Sequence, residues 1–147
     1  MTKEIHPDTV RLLRECDSGV AMGVDALDSV LERTHGKPLK KLLSDNKDKH
    51  LHLKGEIGAR LAGCHDDGKQ PPAMAKGMSR MKTGMKMAFD ESDKTVADLI
   101  TDGCNMGIKT LHRYLNEYKA ADEKSKALAG ELIDLEESLR ADLAAYL

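Results

Sequence analysis

The chain has 147 residues, of which 40% are hydrophobic and 33% charged, and its net charge is -2. A single domain of this length buries roughly 70% of its unfolded surface, so no disulfide or metal is required to complete the core. The near-neutral charge argues against a general nucleic-acid binder, and no apolar run of about 18 residues is present to span a membrane. With one Phe, three Tyr and no Trp, aliphatic helices are favoured over strands.

Three cysteines, Cys16, Cys64 and Cys104, lie far apart and lack the CxxC spacing of metal or redox motifs. An odd number of such cysteines argues against a disulfide framework or a zinc knuckle and predicts reduced thiols. The first ten residues, MTKEIHPDTV, contain no apolar segment typical of a secretory signal. We therefore expect a cytoplasmic protein.

Two amphipathic helices are predicted in the first half of the chain. The first spans residues 7–33, with apolar or small residues every three or four positions. Gly19 and Gly23 lie one turn apart on it and would let another helix approach closely. Gly36 follows this helix and is expected to end it in the left-handed conformation. After this short turn the second helix, residues 37–64, must run antiparallel to the first.

A methionine-rich segment, residues 73–88, follows the first pair of helices. Its thioethers recur at helical spacing among lysine and arginine residues, at Met74, Met78, Met81 and Met85. Such a stripe can fill a groove between helical hairpins or a dimer interface, bind Cu(I), lie on an acidic membrane or contact a partner protein. A packing role is preferred. Partner binding ranks first among the functional roles, because the Trp and Phe anchors of a membrane-surface helix are missing.

Two further helices are predicted over residues 92–118 and 122–146, with Ser92 and Asp122 as N-cap residues. The pattern as a whole favours an all-α, ferritin-like four-helix bundle. Two antiparallel hairpins are joined in it by a crossover that carries the extra Met-rich helix. Residues 1–147 are expected to form this single domain.

Two polar residues interrupt the apolar stripe of the second helix. Asn46 and His50 lie one turn apart among leucine and isoleucine residues. Because buried polar groups need partners, the preferred interpretation is a hydrogen-bonded pair that fixes the helix register. The functional alternative is a metal ligand, or a base that faces Cys104. A free cysteine on a core stripe is more often a small apolar residue, which again favours the structural interpretation.

Four short segments resemble an uncharacterised bacterial family of ferritin-like bundles. They are residues 21–25 (AMGVD), 38–43 (PLKKLL), 105–109 (NMGIK) and 135–147 at the end of the chain. The resemblance extends over residues 9–147. It implies a ferritin-like fold, with metal ligands in some relatives, and it implies no known substrate.

The resemblance also assigns positions to the six metal ligands of such a bundle. Only His50 and Glu136 keep a ligand residue type there. The positions at or near which a ligand is replaced are Val20, Lys47, Cys104 and Leu139. A di-iron site needs several carboxylates, so one histidine and one glutamate cannot hold it. We therefore predict a degenerate metal site.

The preferred functional hypothesis is a non-enzymatic structural or interaction protein that needs no cofactor. A homodimer is expected, because the small residues and the Met-rich segment offer surfaces that a second copy, or an unknown protein partner, could cover. The alternative is a metal-binding or oxidative-stress protein of ferritin type that holds iron or manganese at a non-standard site. Its residual candidate ligands are His50, Glu136 and Cys104. Only this alternative predicts that metal raises the stability of the fold.

Overall fold

The computed structural model describes residues 4–66 and 92–147. They form the helices α1 (Pro7–Leu31), α2 (Lys37–Gly63), α3 (Asp93–Glu117) and α4 (Glu123–Leu143), followed by the 3-10 turn Ala144–Tyr146. No strand occurs in these two ranges, which confirms the all-helical prediction. Each helix ends one to three residues before its predicted end. The predicted helix over residues 73–88, with the four methionines of its stripe, lies outside the described residues.

Hydrogen bonds between helix ends fix the direction of α4. The backbone N–H of Asp122, the N-cap residue of α4, donates to the Thr9 hydroxyl oxygen at 2.9 Å. The guanidinium of Arg60, near the end of α2, donates to the Asp122 carboxylate at 2.7 Å. The start of α4 therefore lies beside the start of α1 and the end of α2, at what we term the Asp122 end of the bundle.

The opposite end, termed the Asp93 end, is closed by the first residue of α3. The carboxylate of Asp93 accepts hydrogen bonds from the backbone N–H groups of His35 (2.9 Å) and Gly36 (2.8 Å). The prediction of a left-handed Gly36 is wrong, because Gly36 has a φ of -71° and is the N-cap residue of α2. A Cβ atom at Gly36 would lie 2.5 Å from an Asp93 carboxylate oxygen, so a larger residue would displace this carboxylate from its present position.

These end contacts define the arrangement of the four helices. α1 and α4 run parallel to each other, and α2 and α3 run in the opposite direction. α1 and α4 each pack against all three other helices. The end of α2 and the start of α3 lie at opposite ends of the bundle. No helix in the described ranges is long and apolar enough to cross a bilayer.

The core consists of two apolar clusters separated by a polar layer. The cluster toward the Asp122 end has Leu12, Leu13, Ile57, Leu61 and Leu132 as its largest fully buried side chains. The cluster toward the Asp93 end has Leu27, Leu39, Leu43 and Leu143 in that role. Between them lie Asn46, His50 and Glu136, which we term the polar layer. Each helix contributes to both clusters, so the layer occupies the middle of the bundle.

Candidate functional site

His50 is the centre of the polar layer, and its side chain is 1% exposed. Its Nδ1 atom lies 3.0 Å from the backbone carbonyl oxygen of Asn46, one turn earlier on α2. A carbonyl oxygen can only accept a hydrogen bond, so Nδ1 carries a proton and donates it. This contact fixes the orientation of the ring and leaves Nε2 to face the interior of the bundle.

Glu136 approaches the ring of His50 from α4. Its Oε1 atom lies 3.0 Å from His50 Nε2, and the residue as a whole is 8% exposed. One proton lies between these atoms, whether the pair is an imidazolium and a carboxylate or an imidazole and a carboxylic acid. Because the pair joins α2 to α4 across the interior, removal of either partner would leave a buried polar group without its counterpart.

Cys104 extends this pair to a third helix, α3. Its thiol is buried and donates a hydrogen bond to the Glu136 carboxylate. Burial, followed by the negative charge of Glu136 and this hydrogen bond, raises the pKa of Cys104 far above its usual range, although Arg140 acts in the opposite direction. A reactive thiol needs a lowered pKa and access to solvent. Cys104 has neither property, because its thiol is buried and its pKa is raised.

Glycine in α1 provides the space for the His50 ring. A Cβ atom at Gly23 would lie 2.9 Å from both Cδ2 and Nε2 of His50, closer than real Cβ contacts come. Gly107 of α3 lies on another side of the pair, where a Cβ atom would be 3.7 Å from Cδ of Glu136. Gly19 and Gly23 were predicted to admit a neighbouring helix. Gly23 instead admits the histidine ring, and a Cβ atom at Gly19 would meet nothing within 4 Å.

The predicted Asn46–His50 pair is buried, but its hydrogen bonding differs from the expected side-chain pairing. Asn46 is 6% exposed and binds the His50 ring through its backbone carbonyl. Its own Oδ1 atom is buried and has no hydrogen-bond partner among the described residues. A buried acceptor without a partner costs roughly 1–3 kcal/mol. The side-chain partner of His50 is Glu136, which lies on a different helix.

An exposed hydrogen bond crosses the surface next to this site. Arg140, one turn after Glu136 on α4, donates from Nη1 to Oδ1 of Asn105 at 3.0 Å. Asn105 follows Cys104 directly on α3. The contact therefore bridges α3 and α4 at the surface, next to the Cys104–Glu136 hydrogen bond.

The other two cysteines do not join the site. All three are free thiols. Cys16 is buried in the apolar cluster toward the Asp122 end, where burial and the charges of Glu15 and Asp17 raise its pKa to about 12. Cys64 lies half-buried just after α2. Only Cys104 contacts the polar layer.

The ligand positions assigned by the resemblance lie in different environments. Val20 and Leu139 are buried in the two apolar clusters. Lys47 lies at the surface and forms an ion pair with Asp28 of α1. Within the described ranges, no three His, Cys, Asp or Glu side chains are arranged so that they could hold a metal ion. A di-metal centre needs several carboxylates, whereas the polar layer together with Cys104 offers one imidazole, one carboxylate and one high-pKa thiol.

Comparisons with known proteins show a similarity in fold. No protein-family model and no curated protein sequence matches the chain. The fold is similar to the crystal structure of a DUF305 fragment from Deinococcus radiodurans, with a TM-score of 0.76, 12% sequence identity and 97% of each chain covered. At this identity the likeness shows the fold alone. The similar structure is a bacterial domain of unknown function, and membership of the ferritin-like family stays a prediction.

Proposed function

We propose that this chain is a ferritin-type bundle, folded as one domain over residues 1–147, that acts as a non-enzymatic structural or interaction protein. The observation that carries the proposal is the closed hydrogen-bond chain from Cys104 through Glu136 to His50 and the Asn46 carbonyl. It occupies the middle of the bundle, where ferritin-type proteins place their metal ligands on facing helices.

The reactive side-chain atoms of this hydrogen-bond chain already have partners inside the protein. His50 Nδ1 is bound to a backbone carbonyl, Nε2 is bound to Glu136, and the Cys104 thiol is bound to the same carboxylate. A general base or a nucleophile must reach a substrate with the atom that reacts. These groups are almost completely buried, so their arrangement supports a role in packing and helix register.

The helix directions support the ferritin-type part of the proposal. α1 and α2 form one antiparallel pair, and α3 and α4 form another. Since the end of α2 and the start of α3 lie at opposite ends of the bundle, the two pairs are related as in a bundle with one long crossover connection. The polar layer then corresponds to a metal site whose other ligands are replaced at or near Val20, Lys47, Cys104 and Leu139.

A second candidate function is metal binding at a non-standard site, with iron or manganese as the metal. The orientation of His50 favours it, because a metal-bound histidine commonly donates its other N–H to a backbone carbonyl. His50 does so to Asn46, and its Nε2 faces the carboxylate of Glu136. This candidate ranks second, because a single carboxylate provides few of the hard oxygen ligands that these metals prefer.

Metal retention separates the two candidates. The protein would be incubated anaerobically with Fe(II), Mn(II), Zn(II) or Cu(I), desalted and subjected to elemental analysis, beside His50→Ala and the control His52→Ala. His52 is a suitable control because it lies on the same helix and is exposed at the surface, where it pairs with Glu56.

If the function is structural, less than about a tenth of an equivalent of metal should be retained. A true metal site binds its ion tightly and would keep it through desalting. The structural function also predicts a melting temperature that metal does not raise. One equivalent or more that is lost in His50→Ala and kept in His52→Ala would establish the metal-binding candidate instead. Metal lost only in His52→Ala would lie at the surface and leave the structural function intact.

A further inference from the structure

The outward side of α3 carries a stripe of residues that no contact within the described bundle explains. It runs along the helix at steps of four, three and four residues through Asp102, Met106, Lys109 and Arg113, and we term it the α3 outer stripe. Met106 is 68% exposed, the highest value among the exposed large apolar side chains of the described residues. Gly103 beside it is exposed, and a Cβ atom there would meet nothing within 4 Å.

We propose that the α3 outer stripe binds the same stripe of a second copy of this chain. The two α3 helices pack antiparallel, with the two-fold axis at Met106. The dimer assigns a specific surface to the interaction role in the proposed function, and in that sense the inference rests on the proposed function. In a two-fold dimer the same patch is used by both copies, so the patch must be complementary to itself.

The order of charges along α3 provides this self-complementarity. In an antiparallel pair centred on Met106, residues before Met106 in one copy lie opposite residues after it in the other. Asp102 precedes Met106 by four residues, and Lys109 and Arg113 follow it by three and seven. Each Asp102 is thereby placed near the Lys109 and Arg113 side chains of the second copy. A parallel pair would place like charges together, which is unfavourable.

The charged side chains of the stripe are available for such pairs. Asp102, Lys109 and Arg113 are exposed and have no side-chain hydrogen bond or ion pair with the other described residues. Opposite charges at the edge of an apolar contact contribute mainly to the specificity and direction of association. These charges therefore favour the antiparallel dimer over other arrangements that would bury Met106.

The apolar centre of the surface extends from α3 onto α1. Met22 of α1 is 37% exposed and directly precedes Gly23, as Met106 directly precedes Gly107. Gly23 and Gly107 lie against the same buried pair, so the two methionines lie at the same level of neighbouring helices. Flexible thioethers adapt well to an opposing surface. Because a stable interface buries about 1,200–2,000 Å², residues of α1 are expected to contribute beside α3.

Charge exchange tests this arrangement directly. The molar mass of the full chain would be measured by light scattering and sedimentation over a range of concentrations, and the wild type is expected to be a dimer of 16.1 kDa chains. Asp102→Lys alone and Lys109→Asp alone each place like charges together, so each should weaken dimerisation at least about tenfold. The double variant Asp102→Lys/Lys109→Asp restores opposite charges and should restore the dimer.

Two further variants locate the apolar centre. Met106→Glu should give a monomer with an unchanged helical circular dichroism spectrum. The matched control is Leu51→Glu, because Leu51 is 45% exposed on α2, away from α3. It should leave the dimer unchanged.

Cross-linking tests the position of the two-fold axis. In a Cys64→Ser background, which removes the half-buried native thiol, Met106→Cys should form a disulfide between two chains under mild oxidation. A residue on a two-fold axis meets its own copy, so a single substitution is sufficient. Leu51→Cys in the same background should not cross-link.

A monomeric wild type would overturn the proposal, and so would a dimer that persists in Met106→Glu. If a single charge variant disrupts the dimer and the double variant fails to restore it, the antiparallel arrangement is wrong. These failures differ from a failure of the proposed function. A monomer that retains no metal would contradict the proposed dimer surface and leave the structural role of the polar layer intact. A dimer that binds metal through His50 would support the dimer surface and contradict the structural role.

Discussion

His50 and Ile57 lie about two turns apart on the inner face of α2, and the protein holds them in place by different means. Both are buried, at 1% and 0% exposure. Ile57 is surrounded by other aliphatic side chains of the cluster toward the Asp122 end. His50 depends on two directed hydrogen bonds, one to its own helix and one to α4. An apolar neighbour can be replaced by another of similar volume, whereas His50 requires one particular partner.

This difference shows what the polar layer contributes to the bundle. A buried hydrogen-bonded pair adds little net stability, because both groups lose their hydration, but it strongly disfavours arrangements in which they are separated. A shift of α4 by one turn relative to α2 would preserve apolar contact in the two clusters. It would also separate Glu136 from His50. We therefore infer that the clusters supply most of the stability and that the layer selects the register.

The largest effect is expected from breaking the pair on one side. His50→Leu or Glu136→Leu leaves its former partner buried without a counterpart and should lower the free energy of unfolding by about 3–5 kcal/mol. Ile57→Val, a small deletion in the apolar cluster, should lower it by about 0.5–1.5 kcal/mol. Urea denaturation would measure all three. If the single variants of the pair lower the free energy of unfolding no more than Ile57→Val does, the polar layer and the apolar cluster do not differ in the way described.

A smaller effect is expected from filling the space beside the ring. Gly23→Ala should destabilise the fold by about 1–3 kcal/mol, because the new methyl group overlaps His50, which is too buried to move away. Gly19→Ala is the matched control one turn earlier. It should stabilise the helix by up to about 1 kcal/mol, since alanine has the higher helix propensity. Thermal unfolding would show the two variants shifting in opposite directions, and a shift in the same direction would contradict the packing described for Gly23.

The next effect lies at the Asp122 end of the bundle. Asp122 accepts a hydrogen bond from the backbone N–H of Ser125 at 2.8 Å, and Asp122→Ala should cost about 0.5–2 kcal/mol through loss of this helix cap. Partial burial opposes ionisation of Asp122, but the hydrogen bonds of Ser125, with Arg60 and Lys124, outweigh it and lower its pKa.

The lowered pKa fixes the direction of the pH dependence. A carboxylate with a lowered pKa stabilises the fold at pH values above its unfolded-state pKa, and this contribution is lost as the pH falls through the folded-state pKa. The difference in stability between wild type and Asp122→Ala should therefore be full at neutral pH and shrink in acid. A difference that stays constant down to strongly acidic pH would show that the charge is not involved.

The smallest effect is expected at Lys47, the position at which the resemblance placed a metal ligand of the second helix. Its ion pair with Asp28 lies at the surface, where such pairs contribute little. Lys47→Gln should leave the midpoint of urea denaturation unchanged within error and should leave metal retention unchanged. A clear loss of stability would show that the region beyond the polar layer also controls how α1 and α2 pair.

The helices were predictable because their apolar residues recur with the helical period, a local property of the sequence. The burial of Asn46 and His50 followed from the same period. The His50–Glu136 hydrogen bond was not predictable in this way, because it depends on the rotation of α4 about its axis relative to α2. Gly36 was misassigned because a glycine between two helices fits both the end of one and the start of the next. The contact with Asp93 that decides between them comes from residues distant in sequence.

The role of the His50–Glu136 pair is tested by the unfolding free energy of the double variant His50→Leu/Glu136→Leu, measured with both single variants. If the pair serves packing and register, replacing both groups by apolar side chains of similar size leaves no buried group unpaired. The double variant should then lie within about 1–2 kcal/mol of the wild type, far from the sum of the two single losses. A loss equal to that sum would show that the two residues act independently and would contradict a role of the pair in packing and register.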